Sequence, residues 1–158
     1  MRRETSAQIR ELLATVRRVA VLGIKTVAQR DQAAYYVPEA RSYLVPYPTA
    51  DVSKAKQVPQ YEKLIPNMEQ GIVAIYQKCV HLGCKVPWCA SSQWFECPCH
   101  GSQYNRSGEK KAGPAPRGMD RFGVEVSGGN VVINTGLVVN GPAIGTNTTG
   151  QEAEGPHC

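Results

Sequence analysis

Apolar residues recur along this chain at two different periods, and the change from one to the other divides it. Over residues 6–20, Ile9, Leu12, Leu13, Val16, Val19 and Ala20 fall at helical spacing behind Ser6 as a candidate N-cap, with Arg10, Arg17 and Arg18 off the stripe. This pattern predicts a basic amphipathic helix. Such a helix rests on an anionic membrane surface, docks on a partner, or packs on its own domain. Residues 30–70 hold five prolines and show little periodicity beyond a predicted strand over 42–47, so they read as a linker and irregular lead-in. From Gly71 the texture becomes short β-rich runs separated by glycine and proline. Strands are predicted over 72–78, 94–96, 122–127, 131–134 and 137–139, with Ser127-Gly128-Gly129-Asn130 as a hairpin turn. Short strands at close intervals predict an antiparallel all-β module.

The organisation expected is therefore a basic N-terminal segment (1–30), a lead-in (31–70), a β domain (71–139) and a tail (140–158). The tail is rich in Gly, Asn and Thr, and its composition predicts flexibility. No solenoid-type repeat is visible. A chain of 158 residues is long enough to fold without disulfides, so its six cysteines call for a chemical reason.

Charge sharpens this division. Residues 1–30 carry seven basic groups against two acidic ones, whereas residues 31–158 carry eleven of each sign. A neutral body with a basic N-terminus argues against nucleic-acid binding, which spreads a basic face over the fold. The apolar run 19–24 is far short of the roughly 20 residues of a membrane helix. Arg2-Arg3 lacks the apolar core of an export signal and reads as surface charge.

The chemistry is concentrated in two boxes, Cys79-Val80-His81-Leu82-Gly83-Cys84 and Cys97-Pro98-Cys99-His100-Gly101-Ser102. Cys and His at this spacing suit a zinc site in general, but four zinc ligands leave two of the box cysteines unexplained. A [2Fe–2S] cluster with two histidines replacing two cysteines on one iron accounts for the boxes better. With fifteen residues between His81 and Cys97, and Tyr104 two positions after Ser102, the pair resembles the high-potential Rieske iron–sulfur protein. The resemblance runs over about 71–135 and includes Gly113-Pro114-Ala115-Pro116, similar to the family's proline-bearing loop.

The resemblance implies a Rieske-type β sandwich with a small cluster-binding subdomain, and assigns Cys79, His81, Cys97 and His100 as ligands of one [2Fe–2S] cluster. Neutral imidazoles add no negative charge to their iron, which raises the potential toward about −150 to +300 mV. It further implies a Cys84–Cys99 disulfide joining the ligand loops, worth roughly 3 kcal/mol in the chain-entropy model and pointing to an oxidising compartment. Ser102 and Tyr104 occupy the family's positions for hydroxyl donors to cluster sulfur, and Leu82 that of the apolar tip that docks at the quinol site.

The function implied is that of a subunit of a quinol–cytochrome c oxidoreductase-type complex. His81 or His100 accepts the quinol hydroxyl, and the electron passes to a c-type cytochrome beside a cytochrome b subunit. The cluster domain is expected on the periplasmic or extracellular side, with residues 1–30 against the membrane surface. The family's complex-bound subunits carry a membrane anchor, and no span is visible here. Either another subunit holds the chain or it serves a peripheral oxidoreductase such as an arsenite oxidase. A zinc-stapled binding module is the alternative from another class. Cys89 and Cys158 stay open: paired with each other, paired with a neighbouring subunit, or free. Trp88 and Trp94 read as packing around the cluster-binding subdomain, and His157 as tail.

Overall fold

The computed structural model describes residues 18–21, 34–127 and 130–158. Its strands form two antiparallel sheets. β1 (Arg18–Val21), β2 (Tyr35–Val37), β3 (Ser42–Pro46), β4 (Ile72–Tyr76), β9 (Arg121–Ser127) and β10 (Asn130–Val139) build a six-stranded base in the order β1-β10-β9-β4-β3-β2. β5 (Trp88–Cys89), β6 (Trp94–Glu96), β7 (Gln103–Tyr104) and β8 (Lys110–Ala112) form a smaller sheet in sequence order. Two short helices, α1 (Val52–Ala55) and α2 (Ile65–Glu69), lie between β3 and β4.

Two expectations for the first seventy residues change. Residues 6–17 of the expected amphipathic helix lie outside the described residues, but Arg18–Ala20 at its end belong to β1, which pairs antiparallel with β10. Residues 19–21 of the apolar run are thus strand, where the pairing with β10 outweighs the helical spacing. The 31–70 segment is no linker: β2 and β3 complete the base sheet beside β4. The strand predicted over 42–47 is β3, and β2 is added beside it. Pro46 closes β3, while Pro38, Pro59 and Pro66 occupy first turns of short helical segments, where a missing N–H costs nothing.

Alternation in β3 and β4 feeds two cores. Tyr43, Val45, Val73 and Ile75 join Tyr61, Met68, Phe95, Tyr104, Met119, Cys79 and Cys97 on one side. Leu44, Ile72 and Ala74 join Phe122, Val124, Val131 and Ile133 on the other. The first core spans both sheets, so the small module has no separate interior. β10 carries a bulge between Asn134 and Val138, where Leu137 folds over Gly123, so close that a Cβ there would come within 2.7 Å of it.

The segment 140–158 is tied down rather than loose. Its composition gave no hint of this, because the partners lie far away in sequence. Gly118 N–H donates to Pro142 O, Arg106 N–H to Gln151 Oε1 and Glu154 N–H to Ser92 O. Thr148 N–H donates to the buried Glu109 carboxylate, and the Tyr47 and Thr148 hydroxyls lie 2.9 Å apart. On the far side of Glu109, the buried Tyr61 hydroxyl donates to Glu109 Oε1 at 3.1 Å and accepts from Arg121 at 2.9 Å. Burial pushes the Tyr61 phenol above its ordinary value, so it stays a neutral bridge between a buried cation and a buried anion.

Removing that bridge tests the network. Tyr61→Phe keeps the ring but leaves Arg121 and Glu109 each short of one partner, with an expected loss of about 1.5–3 kcal/mol. Equilibrium unfolding in denaturant measures it, and an unchanged midpoint would show that the hydroxyl contributes nothing.

Candidate metal centre

The two boxes fold as matching six-residue turns. In the first, Cys79 N–H donates to Cys84 O at 2.7 Å and Gly83 N–H to Cys79 O at 2.9 Å. In the second, Cys97 N–H donates to Ser102 O at 2.8 Å and Gly101 N–H to Cys97 O at 3.1 Å. Each glycine sits at the fifth position with a positive φ, +86° and +71°. That backbone region is cheap only for glycine. The first turn leaves β4 and the second leaves β6, so both are mounted on strands that share one core.

This mounting puts the cysteine at the start of each turn inside and the histidines at the tip. Cys79 and Cys97 are 2% and 4% exposed and unbonded to each other. The His81 and His100 rings stand edge to face with centroids 4.9 Å apart. Leu82 projects beside them at 69% exposure. The remaining two box cysteines form the disulfide Cys84–Cys99, with Cα atoms 6.6 Å apart, and Cys97 Sγ lies within 4.8 Å of both its sulfurs. The structure therefore holds the loop-joining bond that the resemblance implied.

Polar groups converge on the inner sulfurs. Tyr104 Oη lies 3.3 Å from Cys79 Sγ. Burial on its own raises the Cys79 thiol, but hydrogen bonds from Tyr104, the His81 backbone, Cys97 and Ser102 bring it below its ordinary value. Burial raises Cys97, and its proximity to Cys79 raises it further. Burial and the neighbouring Cys79 also hold the Tyr104 phenol above its ordinary value, so its hydroxyl remains a donor. Ser102 is fully buried and accepts from Ala115 N–H at 3.1 Å, which fastens the proline-bearing loop to the second turn.

One buried atom points directly to a missing partner. His81 Nδ1 is buried and without a hydrogen bond. A buried imidazole nitrogen without a partner, two residues from a buried free thiol, is an expensive arrangement unless a metal accepts its lone pair. Two sulfurs and two ring nitrogens are the donor set of a [2Fe–2S] group of mixed ligation.

Outside the boxes, Cys89 and Cys158 form a second disulfide, one of the options the sequence left open. Trp94 is buried and Trp88 half-buried with its ring on Phe95, as the packing reading expected. His157 is not among the tip residues; its Nδ1 is 2.7 Å from Glu96 Oε1. Glu96, Gly113 and the partners of residues 140–158 escaped the sequence reading. Gly113 stood in a recognised loop, but nothing marked its closeness to the second turn.

A family model described as the Rieske [2Fe-2S] domain matches residues 47–125. A cytochrome b6-f complex iron-sulfur subunit from Synechococcus sp. (strain JA-3-3Ab) is 48% identical over 67 residues, covering 40% of this chain and 39% of that protein. The subunit of the same description from Synechococcus sp. (strain WH7803) is 37% identical over 98 residues, covering 60% and 55%. The matched part of the chain thus spans about two fifths to just over half the length of these relatives. Among solved structures, the cyanobacterial plasma membrane Rieske protein from Synechocystis PCC 6803 is similar at 27% identity with a TM-score of 0.43, covering 63% of this chain and 82% of that one.

Gly113 provides a test of how tightly this centre is closed. A Cβ there would come within 2.4 Å of Gly101 O and 2.5 Å of Ser102 Cα, at a φ of +82°. Gly113→Ala is expected to push the proline-bearing loop off the second turn, costing at least about 1 kcal/mol from backbone conformation alone. Iron bound per chain and thermal unfolding measure the effect. Full iron content with unaltered unfolding would mean that the loop does not close the centre.

Proposed function

This chain belongs to the Rieske [2Fe–2S] domain family and holds such a cluster, and from that premise we propose that Cys79, Cys97, His81 and His100 are its ligands in a one-electron oxidant of quinol. The observation that carries the reading is the pairing of two buried sulfurs with two imidazoles at an exposed tip. When bound, the cluster supplies one-electron redox chemistry at a potential raised by its two neutral nitrogen ligands.

The chain's own groups define the rest. With His81 Nδ1 turned inward, Nε2 is left to face a bound hydroxyl, and the corresponding ring nitrogen of His100 does the same on its exposed loop. At that atom a quinol hydroxyl donates its hydrogen bond and leaves its proton. Leu82 gives the tip an apolar end that seats in a quinol-binding surface. Tyr104 and Ser102 donate toward sulfur from buried positions, favouring the more negative, reduced state.

The partners are a cytochrome b-type subunit and a c-type cytochrome acceptor, supported by relatives that are cytochrome b6-f complex subunits. Two disulfides support an oxidising compartment. Among the described residues no helix is long and apolar enough to cross a membrane. Residues 1–30, with seven basic groups against two acidic ones, supply attachment to an anionic membrane surface or a neighbouring subunit. A truncation probing this must stop before Arg18, because β1 is part of the base sheet.

The experiment is purification of the tagged full chain from mildly solubilised membranes, with haem spectroscopy. A b-type haem protein and quinol-dependent reduction of the cluster are expected. Recovery with a peripheral oxidoreductase lacking b haem would overturn the quinol reading and favour the arsenite-oxidase type. On the purified protein, His100→Ala is expected to abolish the Rieske paramagnetic resonance signal, and a normal signal would refute the ligand set.

Tyr104→Phe removes one donor of a charge-assisted hydrogen bond, worth about 1.5–3 kcal/mol at most. For one electron this is a downward shift of up to about 60–130 mV. Redox titration reads it, and an unmoved midpoint would remove Tyr104 from the tuning role.

A further inference from the structure

The segment 140–158 runs from the end of the proline-bearing loop, past the turn between β7 and β8, to the β5–β6 hairpin. At one end Gly141 N–H donates to Asp120 Oδ1, just after the proline-bearing loop. In the middle Thr148 is held by Glu109, at the start of β8, and Arg106 by Glu154. At the other end it reaches the β5–β6 hairpin. Glu154 N–H donates to Ser92 O, Ser91 Oγ to Pro156 O at 2.7 Å, and a Cβ on Gly155 would come within 2.7 Å of Ser91 O. The Cys89–Cys158 bond then closes the strap onto β5.

Three polar groups meet at this end on the carboxylate of Glu96, the residue immediately before Cys97. Its side chain is 10% exposed. Ser92 Oγ donates to Oε1 at 2.6 Å, His157 Nδ1 lies 2.7 Å from the same oxygen, and Cys158 N–H donates to Oε2 at 2.7 Å. The backbone of Glu96 is paired with Gln103 and bonded to Pro87 O. The end of β6, from which the second turn departs, is thus fixed through main chain and side chain together.

The ladders that hold this hairpin are short. β5–β6 and β6–β7 pair two residues each, and an isolated two-stranded hairpin is marginal in water. The strap supplies what the ladders lack, and the Cys84–Cys99 bond does not duplicate it. That bond ties the two turns to each other; the strap ties the base of the second turn to the rest of the domain.

We propose that the strap 140–158, closed by Cys89–Cys158, positions the second ligand loop, with Glu96 as the positioning residue that transmits its hold to Cys97 and His100. The proposal rests on the ligand reading given above. The hydrogen-bond partners of the Glu96 carboxylate lie in the strap and the β5–β6 hairpin, and through them it fixes where the strand end points. Partners outside the ligand shell typically change metal affinity by about 10–100-fold when removed.

The test uses the cluster-loaded full chain with Cys158→Ser, Glu96→Ala and Glu96→Gln. Three quantities are read: the rate of iron loss to a chelator, the line shape of the reduced cluster's paramagnetic resonance, and amide exchange over 94–102 against 72–76. Cys158→Ser and Glu96→Ala are expected to lose iron about 10–100-fold faster, broaden the signal, and raise exchange over 94–102 while 72–76 stays protected. Glu96→Gln keeps an acceptor for Cys158 N–H and is expected to restore near-native values. Native-like behaviour of Cys158→Ser and Glu96→Ala, or loss of protection in 72–76 as well, would overturn the proposal. So would failure of Glu96→Gln to rescue. Should Cys158→Ser not fold, Glu96→Ala decides alone, since it leaves both disulfides in place. An unmodified protein without a Rieske signal refutes the ligand reading instead, and the exchange measurement still decides the strap.

Discussion

Everything in this molecule is arranged around two cysteine sulfurs that are buried, close together and yet not bonded to one another. Cys79 and Cys97 would each gain by oxidation to a disulfide or by exposure to water, and the fold denies both. Buried titratable sulfurs beside an orphaned imidazole nitrogen are costly in an empty site and become favourable once a cationic group takes their lone pairs. The other two box cysteines, Cys84 and Cys99, are bonded to each other. The site is therefore assembled as much by what it withholds from reaction as by what it offers.

Holding two such turns in register is a mechanical problem, and the solution lies in the shared core. Tyr43, Val45, Val73 and Ile75 of the base pack with Phe95 and Tyr104 of the small module, so the sheets cannot shift independently. The same apolar layer excludes water from the sulfurs, which strengthens the Tyr104 and Ser102 contacts. The Cys89–Cys158 bond joins residues 69 apart, for which the chain-entropy model gives about 4 kcal/mol of stabilisation. For a module whose ladders pair only two residues each, this matters more than any single hydrogen bond.

On the proposed reading, burial at the root and exposure at the tip divide electron from proton transfer. The sulfur side is buried, where hydrogen bonds act on the potential. The imidazole side, with Leu82 beside it, is open to a partner. A group buried on all sides would tune well but exchange electrons slowly with a docking partner. A fully exposed one would lose the hydrogen bonds that raise its potential.

The sequence by itself determined the chemistry and the β character. The two boxes carry the Rieske family pattern, the paired glycines allow both turns, and the strands over 94–96 and 122–127 follow from local patterning that survives in the structure. It also left the right options open for Cys89 and Cys158, whose pairing depends on proximity that spacing does not encode. What only the tertiary structure decided was everything set by distant partners. Strand β2 went unread in a proline-rich stretch because it is three residues long and is ordered by its pairing with β3, the strand predicted over 42–47. Residues 18–20 kept helical spacing yet joined a sheet, since β10 supplies an edge that local propensity cannot outweigh. Residues 140–158 look like a loose tail by composition. They are a strap because Glu109, Glu96, Ser92 and Cys89, each 39 to 69 positions away from its partner there, offer the bonds that order them.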